Sequence, residues 1–432
     1  MTIQDFIDNA SSIAIKDGFL NLKANHFTKN EFLDDSNPLK LATRNTIIDH
    51  FNGIRTLTID EVKAYLASSS ILHCVEGWNY LSASIHSFLN GEIPISIHLA
   101  YYAELRASSS FLSTEGIGVF DNKHFSISSN GQINECPNNP THKFLWEALN
   151  CWINSPNNSD VFDYFFYNGK SFNEWLQYIP QSNSVNVSSL FLKEWLKDWS
   201  FDINKFQEDR KARNFFSYRP NFNQVTNIDL ATKIEKINSF WKILEPSSSN
   251  RFPLLDKYLF ELFLKKIHSV NEQAGITLSL VDMIDKTFQN AGMSIDVALK
   301  QNIINNINHT IFEKAKLVST DVNMLPDPFA IIARSILLLR LASGAISHLL
   351  KESNIGKQEL DFFINNIGID GGFWSPTEAP VDYCDLWTDI NDLLIDFEEL
   401  ATDPTVTLNK INNLNISIYS QFTRAAIWGT GL

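Results

Sequence analysis

The sequence predicts an all-α protein, mainly a helical bundle, with a small β-hairpin excursion near residues 117–135. Three features support this prediction. Apolar residues recur at three- and four-residue spacing along most of the chain. Strand-like alternation is concentrated around Phe125 and Ile127. Gly116 and Gly118 are not followed by the further glycine or lysine of a phosphate-binding loop, which disfavours a nucleotide-binding α/β fold.

Length and composition agree with a folded chain that buries a large core. Of the 432 residues, 44% are hydrophobic and 19% charged, which is too apolar for a disordered protein. At roughly 150 residues per domain, two or three domains are expected. The Pro- and Ser-rich segment 245–253 marks the main boundary. We therefore divide the chain into an N-terminal helical region, residues 1–245, and a C-terminal helical bundle, residues 246–432.

In the N-terminal region, several helices are predicted from apolar periodicity. They cover residues 60–70, 75–90, 160–180, 188–200 and 204–218. Two further helices carry end signals: one has Pro94 in its first turn and stops at Gly116, and the other is capped by Thr141. Between them, Asn130-Gly131 marks the turn of the predicted hairpin.

The C-terminal region is predicted to be helical throughout. Its candidate helices are residues 254–272, 278–291, 295–318, 327–352, 357–366, 382–401 and 417–428. The most apolar stretch, residues 329–350, is interrupted by Arg334 and Arg340. It is therefore predicted to be a buried helix and not a membrane span.

Charge and cysteine usage restrict the function classes. The chain has 35 Lys+Arg against 49 Asp+Glu, a net charge of −14, so any contact with a phosphate backbone has to be local. The four cysteines are far apart, and no histidines have the spacing of a metal-ligand pair. We expect no metal and no cofactor. Because the first residues lack a secretory signal, we expect a cytoplasmic protein with no membrane partner.

A cluster of cations and aromatic residues lies in residues 208–221 of this acidic chain. Such a mixture suits contact with phosphates and stacking on bases. The candidate nucleic-acid-binding residues are Arg210, Lys211, Arg213, Phe215 and Arg219. The alternative is an amphipathic helix end whose cations pair with Glu208 and Asp209.

Two other strings carry a resemblance to a known family. Tyr101-Tyr102-Ala103, followed by small residues and an apolar end, resembles the first long helix of HEPN-superfamily proteins. Thr141-His142-Lys143 resembles the start of a following helix in some of them. The resemblance covers about residues 75–220. It implies a helical bundle and a place in bacterial anti-phage or conflict systems.

HEPN ribonucleases carry an Arg, often followed by Asn, and a His four to six residues later. The resemblance places Arg213 and Asn214 in this motif, with Tyr218 where the family has His. In the family, the Arg stabilises phosphate charge and the His takes part in metal-free acid–base cleavage of RNA. An ordinary tyrosine has a pKa near 10 and is a poor base at neutral pH. Such a site is therefore expected to bind and not cut, unless the surrounding arginines strongly lower the pKa of Tyr218. A second alternative is that His142 replaces the missing His in space.

A second Arg–His match, Arg44-Asn45 with His50, precedes the tyrosine-containing helix and is therefore out of the family's order. An Arg and a His at this spacing also arise by chance on a solvated helix face.

An acidic stripe follows one side of the predicted helix 382–401. Its candidate partner-binding residues are Asp385, Asp389, Asp392 and Asp396. Apolar residues lie on the other side, as in an amphipathic surface helix. The stripe is interpreted either as a docking face for a basic protein or as a plain solvated face.

These observations leave three hypotheses for function. The first is a non-catalytic interaction or regulatory subunit of a bacterial anti-phage defence complex, with protein partners. The second is a metal-independent endoribonuclease with catalytic residues Arg213, Asn214, Tyr218 and His142, completed by homodimerisation. The third is a module that binds single-stranded nucleic acid. If the catalytic candidates lie together in a cleft, the structure favours an enzyme. If Arg213 pairs with a carboxylate, it favours the non-catalytic subunit.

Overall fold

The structure is a computed structural model and is mainly helical, which confirms the predicted fold class. The described residues are 2–136, 140–155, 158–180, 189–199, 201–218, 228–318, 327–403, 405, 407–408 and 411–430. Arg219, a predicted nucleic-acid contact, lies outside them.

The helices are numbered in chain order. In the first part of the chain they are α1 (Ile3–Asp8), α2 (Ser12–Asn25), α3 (Leu39–Phe51), α4 (Ile59–Leu89), α5 (Ile93–Thr114), α6 (Thr141–Ile153), α7 (Phe172–Leu176), α8 (Ser189–Asp198), α9 (Ile203–Tyr218) and α10 (Leu230–Leu244). In the second part they are α11 (Pro253–Gln273), α12 (Leu280–Asn290), α13 (Val297–Ile304), α14 (Thr310–Lys316), α15 (Pro328–Glu352), α16 (Lys357–Asp370), α17 (Leu386–Ala401), α18 (Asn413–Tyr419) and α19 (Arg424–Thr430).

The predicted hairpin is present and gains a third strand. Strands β1 (Ile117–Phe120), β2 (Lys123–Ile127) and β3 (Ile133–Glu135) form an antiparallel sheet in that order. Asn122, between β1 and β2, has a φ of 60°, and Gly131, before β3, has a φ of 81°. The predicted Asn-Gly turn therefore joins the second pair of strands, where a positive φ favours glycine.

Three helices form the centre of the fold: α4, α5 and α15 pack against one another. Small residues allow their backbones to approach. A Cβ added at Gly77 on α4 would lie 2.7 Å from Leu339 Cδ2 on α15, and Ser335 on α15 donates to the Ala100 carbonyl on α5 at 2.9 Å. Because α15 belongs to the predicted C-terminal bundle, one hydrophobic core includes residues from both sides of residue 245.

By length and composition α15 could cross a membrane, but its apolar window is wholly buried within the fold. This confirms the prediction of a buried helix. Its two arginines pair with buried carboxylates, Arg334 with Asp209 and Arg340 with Asp256, which is how charges are normally accommodated in a core.

Several predicted element boundaries were wrong. Helices 60–70 and 75–90 are one helix, α4, because Ser68, Ser69 and Ser70 are buried and Ser68 and Ser70 satisfy their hydroxyls on the helix's own carbonyls. The predicted helix 295–318 divides into α13 and α14, with Asn306 in the left-handed region at a φ of 49°. The predicted helix 417–428 likewise divides into α18 and α19.

Two local predictions need a further correction. The cap of α6 is Pro140, while Thr141 is its first residue and accepts the Asn122 N–H through its hydroxyl. Residues 160–180 are not one helix: they contain a 3-10 turn, the two-residue strands β4 (Phe166–Tyr167) and β5 (Lys170–Ser171), and the short helix α7. Asn168-Gly169 joins these strands with positive φ at both residues. This is a hairpin turn signal that the periodicity argument overlooked.

Candidate functional site

Helices α5, α6 and α9 bring a group of polar and aromatic side chains together at the surface. We call it the Arg213 cluster. Its members are His98, Tyr101, Tyr102, His142, Arg213, Asn214 and Ser217. The first three residues lie on α5, His142 on α6 and the last three on α9, so the cluster forms only when these helices pack together.

Aromatic stacking fixes α9 beside α5 and α6. The Phe206 ring stacks on Trp146 of α6 with centroids 4.8 Å apart and an interplanar angle of 11°. Ala212 and Phe216 are buried on the same side of α9. Arg213 follows this apolar face and is itself only 8% exposed.

Neutral groups surround the Arg213 guanidinium. Nη2 donates to the Tyr102 hydroxyl at 2.8 Å, and Nη1 donates to Asn214 Oδ1 at 2.7 Å. The Cζ atom lies 5.5 Å from the Tyr101 ring centroid and 5.2 Å from that of Tyr102, within cation–π range. The buried Nε has no hydrogen-bond partner in the described part of the chain. Among those same residues no carboxylate forms an ion pair with Arg213, so its positive charge is available to an external anion.

Two partly exposed histidines flank Tyr102. The His98 ring centroid is 5.0 Å from that of Tyr102, and the His142 centroid is 6.2 Å from it. His98 Nδ1 lies 2.7 Å from Ser217 Oγ, and His142 Nδ1 lies 3.0 Å from the Tyr101 hydroxyl. Burial raises the pKa of Tyr101 above its ordinary value, so the hydroxyl keeps its proton. It can donate to an unprotonated His142 Nδ1 or accept from a protonated one, according to the tautomer of the ring.

The pKa values of both histidines are lowered. For His98 the main cause is burial, followed by the positive charge of Arg213. For His142 the causes are burial, then Arg213, then Arg210. Because both effects disfavour the imidazolium form, the two rings are mainly neutral at pH 7 and can accept a proton.

Among the predicted catalytic residues, the structure brings Arg213, Asn214 and His142 together. Tyr218 does not join them. It is 78% exposed and makes no hydrogen bond or ring contact to the cluster within the described residues. Five residues along a helix correspond to a rotation of about 140°, whereas four correspond to about 40°. Ser217 therefore shares the side of α9 that carries Arg213.

Sequence reasoning missed His98. The signal available was its spacing: His98 precedes Tyr102 by four residues, which puts the two on the same face of α5. The apolar periodicity of α5 predicts its core positions and does not identify this pair.

The predicted nucleic-acid-binding residues have different environments. Arg210 is half-buried, while Lys211 is exposed and pairs with Glu208 at 2.7 Å, the contact expected of a solvated helix face. Phe215 is half-buried, with its ring edge-on to Phe216 at 5.2 Å. Arg213 is thus the cation of this segment that combines burial with the lack of a carboxylate partner among the described residues.

The second Arg–His match is accounted for by ordinary contacts. Arg44 Nε lies 3.3 Å from Asp121 Oδ2 and its side chain is half-exposed. His50 Nδ1 accepts the Leu57 N–H at 3.2 Å. Arg44 is consequently a useful control for Arg213.

The predicted acidic stripe lies along the exposed side of α17. Asp385 precedes the helix, and Asp392 and Asp396 are exposed. Asp389 pairs at 2.7 Å with Arg424, whose side chain is 3% exposed. One member of the stripe therefore has a structural partner within the fold.

No family model, curated protein or solved structure matches this chain.

Proposed function

We propose that the Arg213 cluster binds RNA and cleaves it without a metal ion. The observation that carries this proposal is a nearly buried arginine without a carboxylate partner in the described chain, placed beside two histidines that are mainly neutral at pH 7. Buried charges are normally paired. A phosphodiester supplies the missing negative charge, and the histidines supply groups able to move protons next to it.

The reaction supported by these groups is transesterification by the RNA's own 2′-hydroxyl. One neutral histidine accepts the 2′-hydroxyl proton, and the 2′-oxygen attacks the adjacent phosphorus. The bond between phosphorus and the 5′-oxygen breaks, and the other histidine gives a proton to that oxygen from the minor fraction in which its ring is protonated. The products are a 2′,3′-cyclic phosphate and a 5′-hydroxyl, and Arg213 stabilises the charge on the phosphoryl oxygens.

The aromatic residues of the cluster have a positioning role in this proposal. The Tyr102 hydroxyl accepts a hydrogen bond from Arg213 Nη2 and so orients the guanidinium. The Tyr101 hydroxyl orients the His142 ring through Nδ1. The Nε2 atom of His142 then remains to face the substrate. Ser217 orients His98 through Nδ1 in the same way.

A cleavage assay on mixed cellular RNA, including tRNA, in the presence of EDTA tests the proposal. The wild-type protein is expected to produce 2′,3′-cyclic phosphate ends. Arg213→Ala is expected to lose about 10²–10³ in rate, and His98→Ala and His142→Ala about 10²–10⁴ each. Intact RNA with the wild-type protein, or cleavage that survives Arg213→Ala, would refute RNA cleavage by the Arg213 cluster.

Two variants serve as matched controls. Arg44→Ala removes an arginine that also precedes a histidine but pairs with Asp121. Tyr218→Phe removes the hydroxyl of the exposed tyrosine at the family's His position. Both are expected to cleave RNA as the wild type does. A loss of activity in Tyr218→Phe would indicate that the reaction uses Tyr218 of the Arg213–Tyr218 motif and not the histidines of α5 and α6.

A second candidate function is an interaction subunit of a bacterial anti-phage complex in the cytoplasm. The observation that favours it is the exposed acidic side of α17, with Asp392 and Asp396. A basic protein partner would contact this face, and RNA would then be left uncut. Co-purification of native partners with wild-type protein, and their loss in Asp392→Asn/Asp396→Asn, tests it. The resemblance to HEPN proteins is compatible with either function.

A further inference from the structure

Two adjoining cavities lie beside the predicted boundary segment, residues 245–253, and share Ser249, Asn250 and Arg251 in their walls. The smaller, of about 180 Å³, lies between the start of α11, the middle of α15 and α19. We call it the Arg251 cavity. The larger, of about 460 Å³, continues past it towards Tyr383 and Trp428.

Cations line the Arg251 cavity, and its lining residues include no acid. Arg251, Arg340 and Lys351 contribute positive charges, and Ser249, Ser343 and Ser347 contribute hydroxyl groups. In a chain with a net charge of −14, three cations around one small cavity make a local positive field.

Arg251 has no carboxylate partner among the described residues, whereas Arg340 pairs with Asp256. Its Nη1 donates to Ser347 Oγ and, at 3.2 Å, to the Gly429 carbonyl, both neutral groups. Its Nε and Nη2 make no hydrogen bond to any described residue. Burial lowers the pKa of Arg251 to about 10, and the positive charge of Arg340 adds to this effect. The negative charge of a bound anion would counter the repulsion from Arg340 and favour the protonated guanidinium.

Hydrogen bonds to Asp256 and to the Tyr164 carbonyl hold Arg340 in place. Its Nε and Nη2 donate to the two oxygens of Asp256 at 2.7 and 2.8 Å, and Nη2 also donates to the Tyr164 carbonyl at 2.9 Å. Its Nη1 lies next to Gly344, where an added Cβ would come within 2.6 Å of it. This glycine leaves room for the guanidinium, and Nη1 has no hydrogen-bond partner among the described residues.

From this geometry we infer that the Arg251 cavity binds the phosphate group of a small molecule, either inorganic phosphate or a phosphomonoester. The unused N–H groups of two arginines and the serine hydroxyls match the several acceptor oxygens of such an anion. The larger cavity beyond it, with the aromatic rings of Tyr383 and Trp428 in its wall, has space for the organic part of an ester. This site is separate from the Arg213 cluster and does not depend on its proposed function.

Isothermal titration calorimetry of the full chain with inorganic phosphate, AMP and adenosine tests the inference. Phosphate and AMP are expected to bind, and adenosine is expected not to bind. Similar affinities for the first two identify free phosphate as the ligand, while tighter binding of AMP identifies an ester. Failure of both phosphate compounds to bind would overturn the proposal.

Variants then locate the binding. Arg251→Gln is expected to weaken it by tenfold or more, because hydrogen bonds to a charged group are lost. Lys351→Gln changes an exposed residue at the rim, so it keeps the fold and is expected to weaken binding by about threefold through the lost charge. The exposed Lys286→Gln is a control that should bind as the wild type does. Unchanged binding in both Arg251→Gln and Lys351→Gln would contradict this site.

Discussion

Arg334 on α15 donates to both carboxylate oxygens of Asp209 on α9, from Nε at 2.7 Å and from Nη2 at 2.6 Å, and both side chains are buried. Nη1 of Arg334 also donates to the carbonyls of Ala315 and Leu317. Because Arg213 follows Asp209 by four residues on the same helix, this ion pair helps to set the position of the Arg213 cluster relative to the central helices.

Glu104 is a second, fully buried carboxyl group beside this pair, with Oε1 3.6 Å from Arg334 Nε. Burial, together with the negative charge of Asp209, raises its pKa well above the ordinary value. Both causes favour the protonated, uncharged form of Glu104. We expect Glu104→Gln to change stability little, within about 0.5 kcal/mol, because glutamine has the shape and charge of that form.

We expect Asp209→Asn to cost less stability in the wild-type protein than in the Glu104→Gln variant. Alone, it allows Glu104 to ionise and replace the lost charge beside Arg334. Combined with Glu104→Gln, it leaves the arginine buried without a carboxylate, at a cost of about 3–5 kcal/mol. Urea unfolding at pH 7 measures the coupling. If the two single effects simply add, the carboxyl groups do not share Arg334.

Glu115 predicts a pH dependence of stability. It is buried, accepts the Tyr164 hydroxyl at 3.2 Å, and burial raises its pKa to about 7. An unfolded glutamate has a pKa near 4.3, so between this value and 7 the folded state holds more protons than the unfolded state. Stability consequently falls as the pH rises through this window.

Glu115→Gln removes this loss, because a glutamine is neutral at every pH and can still accept from Tyr164. We expect the free energy of unfolding of the variant to exceed that of the wild type from about pH 4.5 upward. The difference should reach up to about 3 kcal/mol above pH 7. Denaturant unfolding at pH 4, 6 and 8 checks this, with the exposed Glu245→Gln as a control that should follow the wild type. A gain that is the same at pH 4 and pH 8 would contradict the proposed ionisation.

The histidines of the Arg213 cluster can be titrated individually by NMR. In the wild type, both His98 and His142 are expected to titrate below 6.5. Arg213→Gln should raise both pKa values without restoring them fully, because burial is the larger cause. Arg210→Gln should raise the pKa of His142 and leave that of His98 unchanged. Equal responses of the two rings to Arg210→Gln would show that the cluster is arranged differently.

If cleavage occurs at this cluster, its pH profile should follow the same residues. A histidine base works when it is neutral, so the acidic limb of kcat/KM is expected at a pH below 6.5 in the wild type. Variants that keep measurable activity while raising the histidine pKa, such as Arg210→Gln, should shift this limb to higher pH. A limb that does not move would show that His142 is not the base of the reaction.

The acidic stripe on α17 contains residues with distinct roles. Asp389→Asn removes the partner of the buried Arg424. Because the Asp389 side chain is 55% exposed, the expected loss of stability is moderate, about 1 kcal/mol. Asp392→Asn and Asp396→Asn are expected to remain within about 0.5 kcal/mol of the wild type or to gain slightly, since they relieve repulsion between like charges. Thermal unfolding compares the three, and equal losses would mean that Arg424 does not depend on Asp389.

Local sequence patterns were sufficient for several elements. Pro94 in its first turn and Gly116 just past its end delimit α5, and the two arginines within the apolar stretch 329–350 indicated a buried helix. These features depend on neighbours within one or two turns. The break at Asn306 and the joining of two predicted helices into α4 depend on packing, and periodicity alone placed both incorrectly.

Local sequence patterns predicted the helical class, the hairpin near residues 117–135 and the cationic and aromatic residues around Arg213. Which of these side chains lie close together depends on how the helices pack. His98, His142 and Arg213 lie on three helices that are separated along the chain, and a helix repeat specifies the face a residue occupies but not the helix that packs against it. The packing of α5, α6 and α9 therefore selected His98 and His142, and left Tyr218 exposed to solvent.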